Sequence, residues 1–307
     1  MRAIVFIIAL LALATSEARA QPPVDPNSLV STFFELQLDP PVFRKLFEVP
    51  EYRACGSLRM GPDGNSILFD AYKSLLGEDL SATRVMQYSL DGKSRKELCK
   101  GAMPTMSPDG KRFACCRYDD RGVWVFDADG KNGFNLDPEG WGIQWSPVSP
   151  TEVAYLKRGR LVIADVDART TREVFPAGAS PFQTIYYNGS WSADGRRLAI
   201  VGEAAGGREL GVVDAAGAEF GFKVHLHGRA SAALAFHPDG QQVLFPMRTS
   251  EGRYEIRRVK LDAAPGEATL VPGLPASLQF IGVCCHPDGK RIFVLAPDKP
   301  AAAPVGN

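Results

Sequence analysis

From residue 30 onward the chain is a succession of short apolar runs broken by Asp-Gly and Pro-Asp-Gly turns. Five of these runs, Ser66-Ile-Leu-Phe69, Arg112-Phe-Ala-Cys115, Arg197-Leu-Ala-Ile-Val201, Gln242-Val-Leu-Phe245 and Arg291-Ile-Phe-Val294, are apolar at successive positions. A strand covered on both faces reads that way. In three units a third run follows, as Val123-Trp-Val-Phe126, Leu161-Val-Ile-Ala164 or Leu210-Gly-Val-Val213. The fourth run is more polar, as in Ser94-Arg-Lys-Glu-Leu98 and Thr171-Arg-Glu-Val174. Charge there suits an outer strand whose free edge meets water. The pattern predicts four-stranded units stacked face to face.

One phrase punctuates these units: Met60-Gly-Pro-Asp-Gly64, Met106-Ser-Pro-Asp-Gly110, Trp191-Ser-Ala-Asp-Gly195, Phe236-His-Pro-Asp-Gly240 and Cys285-His-Pro-Asp-Gly289. A degenerate copy, Trp145-Ser-Pro-Val-Ser149, fills the gap. From Asp63 through Asp109, Val148, Asp194 and Asp239 to Asp288 the steps are 46, 39, 46, 45 and 49 residues. A period in that range with four strands per unit signals a radially repeated sheet. The Asp-Gly pair closes a tight hairpin, glycine taking the positive φ. The last unit has only two strands, Leu278 to Val283 and Arg291 to Leu295. Two strands without a unit, Ser31 to Asp39 and Phe43 to Val49, stand at the other end. Together they predict an all-β, six-bladed β-propeller over residues 30–296, its N-terminal strands completing the C-terminal blade.

With 307 residues and 45% apolar content, the chain has material for a large core. Lys plus Arg and Asp plus Glu both total 35, which gives no reason to expect nucleic acid as a partner. Residues 1–20 read as a signal peptide: Met1-Arg2, an apolar stretch from Ala3 to Ala14, and the cleavage pattern Ala18-Arg19-Ala20. That segment is too short to span a membrane, and no later one is long enough. Cleavage after Ala20 predicts a periplasmic or secreted protein, with residues 21–29 as linker and 297–307 as a disordered Pro/Ala-rich tail.

Six cysteines in an exported chain raise the question of disulfides. Cys115 and Cys285 stand at apolar repeat positions, and neighbours on a strand point to opposite faces. Pairing within Cys115–Cys116 or Cys284–Cys285 is therefore disfavoured, and buried thiols are expected for those four. A bridge from Cys55 or Cys99 stays open. The chain has no Gly-x-Ser-x-Gly elbow, phosphate loop, His-Glu-x-x-His or Cys-x-x-Cys motif. His237 and His286 share one repeat position and are expected to hydrogen-bond their turns as Ser107 and Ser192 do. His225 and His227 alternate on a polar fourth strand, with solvent-facing rings expected.

The phrase Trp/Phe-Ser/His-Pro-Asp-Gly followed by apolar residues resembles the WD40-like (PD40) repeat of TolB-type six-bladed propellers. The resemblance covers about residues 30–296 through five clear copies and one degenerate one. It implies an exported envelope protein. TolB itself carries an N-terminal α/β domain that contacts other envelope proteins, and too little chain follows Ala20 here to hold one. Propellers commonly recruit ligands where the innermost strands begin. The loops expected there carry Tyr52, Arg53, Trp141, Tyr186, Tyr187, His227 and Arg229, together with Tyr118-Asp-Asp-Arg121. Aromatic and arginine side chains are enriched at recognition hot spots. The expectation is a monomeric, non-enzymatic module that binds an envelope protein or glycan, with no catalytic residues, cofactor or metal. The alternative is a metal-assisted, lyase-like carbohydrate-active enzyme using channel histidines, as on a related propeller.

Overall fold

The computed structural model describes residues 29–73, 79–217, 219–228, 231–279 and 282–299. The signal peptide, nearly all of the linker, Arg229 and residues 300–307 lie outside the described residues. Six antiparallel sheets follow one another along the chain. Blade 1 holds Ala54–Met60, Ser66–Tyr72, Arg84–Ser89 and Arg95–Lys100; blade 2 holds Ala102–Met106, Arg112–Arg117, Gly122–Asp127 and Phe134–Asp137. Blade 3 holds Gly140–Trp145, Glu152–Lys157, Arg160–Asp165 and Thr170–Glu173. In blade 4 the inner position is split between Thr184–Ile185 and Ser190–Trp191, both paired to Arg197–Ala204, and Gly207–Asp214 and Gly221–Gly228 follow. Blade 5 holds Ala235–Phe236, Gln242–Arg248, Tyr254–Lys260 and Ala268–Leu270.

Blade 6 is made from both ends of the chain. Gly282–Cys285 and Arg291–Asp298 are its inner strands, Val30–Leu38 and Pro41–Val49 its outer ones. Val30 pairs with Asp298 and the ladder continues to Gln37 opposite Arg291. The last strand thus runs through Pro297 and Asp298, past residue 296. Each inner strand neighbours the next, and the inner strand of blade 6 returns to that of blade 1. Sheets stacked in this cyclic order make the six-bladed propeller.

The continuous apolar runs have a direct cause in this stacking. Ile67 and Phe69 enter the cluster between blades 6 and 1, while Leu68 between them enters the cluster between blades 1 and 2. In blade 3, Val153 and Tyr155 face blade 2, and Ala154 and Leu156 face blade 4. Alternate side chains point to opposite faces, and both faces are interfaces. Phe33 stacks on Phe47 at 4.7 Å and lies 4.7 Å from Phe69, so an N-terminal side chain anchors blade 6 to blade 1.

The repeated phrase builds a fixed turn. Gly110 and Gly195 adopt φ of 69° and 66°, where a side chain would be strained. Ser107 donates to Asp109 at 2.7 Å and accepts from the Arg112 N–H at 3.0 Å. Ser192 does the same with Asp194 and Arg197. These hydroxyl donors hold both carboxyls below the usual range. The repeated aspartates therefore serve the turn. In blade 3 the hairpin closes from Ser146 N to Glu152 O, one residue longer than Ser107 N to Arg112 O.

Candidate functional site

Two ends of the ring differ in chemistry. At the Asp-Gly end, side chains clasp the turn of the following blade. Nε2 of His237 lies 2.9 Å from the Gly289 carbonyl, Nε2 of His286 lies 2.9 Å from that of Gly64, and Arg197 donates to that of Gly240 at 2.6 Å. The Nδ1 atoms of the two histidines accept from the Asp239 and Asp288 N–H groups at 3.3 and 3.1 Å. These rings therefore bond their own turns, as expected, and also bridge to the next blade. His225 and His227 do not share a face. A bulge opposite Leu210 and Gly211 interrupts the alternation, burying His225 while His227 meets Glu209 at 2.8 Å on the surface. Among the described residues no three His, Cys, Asp or Glu side chains form a metal-binding group.

At the opposite end, where inner strands begin, three blades contribute aromatic rings to one cluster. Tyr118, after the second strand of blade 2, lies 5.1 Å from Trp141 on the inner strand of blade 3. Trp141 in turn meets Tyr187 of blade 4 edge-on at 6.3 Å. Gly142 permits this approach. A Cβ on it would lie 2.5 Å from the Tyr187 Cβ, and its φ of +74° is itself a glycine conformation. The Trp141 indole nitrogen is enclosed and has no hydrogen-bond partner in the protein.

Two buried ionisable side chains, Asp70 and Arg59, lie near this cluster. Asp70, on the second strand of blade 1, is fully buried and accepts the Met103 N–H of blade 2 at 2.8 Å through Oδ2. Its Oδ1 has no partner at hydrogen-bond geometry, though the Ser57 and Tyr72 hydroxyls stand close enough to favour the carboxylate. Burial outweighs them and pushes the carboxyl up. Burial, then the Asp70 charge and Tyr118, push the Tyr72 phenol far up. Tyr72 thus connects Asp70 to the aromatic cluster. Arg59, on the inner strand of blade 1, donates to Gln144 of blade 3 at 2.8 Å and to the Gly189 carbonyl of blade 4 at 3.2 Å. Burial pulls its guanidinium below the ordinary value.

The residues expected at this face therefore separate into groups. Trp141 and Tyr187 come together with Tyr118. Tyr186 and His227, both on blade 4, make separate polar contacts: the Tyr186 hydroxyl donates to Glu203 at 2.9 Å and accepts from Arg208 at 3.0 Å, while His227 meets Glu209. Arg53 is exposed on blade 1. Tyr52 turns inward instead: it packs in the core between blades 6 and 1, and its hydroxyl meets the Met86 sulfur at 3.7 Å. An aromatic at a loop mouth can satisfy either role, and here the gap between two sheets takes it. Arg59, Asp70 and Tyr72 are absent from the sequence-derived set. The signal for Arg59 lay at the position four before each repeated Asp, which is polar in Arg59, Thr105, Gln144 and Ser190. Thr105 and Ser190 use it to accept the Trp145 and Phe236 N–H groups of the next blade.

An all-β ring of six four-position blades is a β-propeller. More narrowly, the fold is TolB-like. A structure described as a TolB from Agrobacterium tumefaciens superposes with a TM-score of 0.67 at 15% identity, over 89% of this chain and 100% of the other. TolB from Acinetobacter baumannii gives 0.58 at 14%, over 90% of this chain and 65% of its own length. A puromycin-hydrolysing peptidase of Mycobacterium tuberculosis gives 0.51 at 17%, and this chain spans only 38% of it. No protein-family model and no curated relative matches the sequence. Among the described residues no helix is long and apolar enough to cross a membrane.

Proposed function

We propose that this chain is an exported, non-enzymatic propeller of the cell envelope that takes a protein or glycan at its aromatic mouth. The observation that carries this reading is the meeting of Tyr118, Trp141 and Tyr187, from three successive blades. Rigid aromatic faces offer large contact area at low entropic cost. The TolB-like fold and the leader at residues 1–20 support the envelope setting. The distribution of the four histidines over turns and an outer strand supports binding over metal-assisted chemistry.

The test is capture from an envelope fraction by the mature chain and by Trp141→Ala. Loss of a hot-spot aromatic costs at least about 2 kcal/mol, roughly thirty-fold in affinity. The reading expects a partner retained by the parent and released by Trp141→Ala, with circular dichroism unchanged. Equal capture by both chains overturns this placement of the site.

A further inference from the structure

We propose that Cys99 and Cys115 form a disulfide that fastens the outer strand of blade 1 to the second strand of blade 2. Their sulfurs stand 3.6 Å apart as free thiols, although the residues belong to different sheets. A disulfide needs about 2.05 Å, so roughly 1.5 Å of side-chain movement closes the bond. The backbone is shaped around this pair. Gly101, which follows Cys99 into blade 2, holds φ at +145°, and a Cβ there would meet the Cys115 sulfur at 2.8 Å.

The other four cysteines have no such partner. Cys115 and Cys116 face opposite interfaces, in the clusters between blades 1 and 2 and between blades 2 and 3. The Cys116 sulfur already accepts the Gly142 N–H at 3.0 Å. Cys284 and Cys285 likewise split between the clusters on either side of blade 6, and Cys55 lies in the core with its backbone N–H on Ser31. The strand alternation that disfavours neighbouring pairs is therefore what aims Cys115 at Cys99.

The chemistry balances with a disulfide oxidant, such as oxidised glutathione or an oxidised dithiol oxidoreductase. The half-buried Cys99 sulfur attacks the oxidant's S–S bond, giving a mixed disulfide and one released thiol. The buried Cys115 sulfur then attacks Cys99, releasing the second thiol. One S–S bond is consumed and one formed, and the two cysteine protons leave on the two released thiols.

The experiment uses the folded mature chain, reduced, desalted and incubated with oxidised glutathione. It is then denatured in maleimide and weighed intact. The expected result is the loss of two of the six reactive thiols, reversed by dithiothreitol. Trypsin should yield the peptide 97–100 joined to the peptide 113–117. Because the second peptide holds Cys115 and Cys116, Cys116→Ser must retain the link, and Cys115→Ser and Cys99→Ser must each abolish it. Six reactive thiols after oxidation, a link between any other pair, or a link surviving in Cys115→Ser overturns the proposal. The wild-type count stands even where a serine variant fails to fold.

Discussion

Nε of Arg59 donates to Oε1 of Gln144 at 2.8 Å, so blade 1 is tied to blade 3 across the axis, past blade 2. The same guanidinium reaches the Gly189 carbonyl in blade 4 at 3.2 Å. One side chain thus links the inner strands of blades 1 and 3 to the loop that enters Ser190–Trp191 in blade 4. Arg59→Ala strands Gln144 and Gly189 without their donor in a dry place. The expected loss is about 1–3 kcal/mol, checked by urea denaturation. An unchanged midpoint removes the brace from the account.

Closure of the ring rests on Phe33, fully buried between Phe47 and Phe69. Phe33→Ala should cost about 3–5 kcal/mol. The four tryptophans lie in blades 2 to 4, far from this site in the chain. If closure governs the whole ring, tryptophan fluorescence and circular dichroism lose their signals together, at one lowered temperature. Separate transitions for the two signals contradict ring-wide cooperativity.

Asp70 is a carboxyl whose folded-state pKa burial raises above the ordinary 3.8. Folding then favours its protonated form, so its contribution is present below 3.8 and lost as pH rises through the folded-state value. Asp70→Asn keeps an oxygen for the Met103 N–H and carries no charge. The variant should exceed the parent in stability at pH 7 by about 1–3 kcal/mol. The gap should narrow toward pH 4. A variant weaker than the parent at pH 7 shows that the buried charge is well compensated.

His225 behaves in the opposite sense as a base. Burial, aided by Lys223 and Arg197, holds its pKa below the ordinary 6.5, and Nδ1 has no partner. Protonation favours the unfolded chain, so stability is intact above 6.5 and falls as pH drops below it. His225→Gln should lose less stability than the parent between pH 7 and pH 5. Parallel pH profiles in thermal melts count against the assignment.

Much of the fold was legible because its signals are local and repeated. Asp-Gly with a preceding Ser or His specifies a hairpin wherever it occurs, and the spacing of the hairpins counts the blades. The unpaired strands at Ser31 and Phe43 gave away the closure, since a blade with two strands must find two more. The site was less legible. Tyr52 and Trp141 stand at equivalent kinds of loop mouth, yet Tyr52 is wholly taken up between blades 6 and 1, while Trp141 packs on the cluster between blades 2 and 3 and also meets Tyr118 and Tyr187. His225 looked surface-bound until a bulge turned it inward.

Taken alone, the amino-acid sequence determined the strand count per unit, the turn chemistry, the number of units and the joining of the two chain ends. Strands and turns depend on neighbours within one period, and the joining of the ends follows from counting strands per unit, both of which a linear pattern records. Tertiary structure alone decided that Arg59 reaches Gln144 and Gly189, that Cys99 lies beside Cys115, and that Tyr118, Trp141 and Tyr187 meet. Each of those contacts joins different sheets, and its geometry is set by how the blades stack, a quantity no single stretch of sequence encodes.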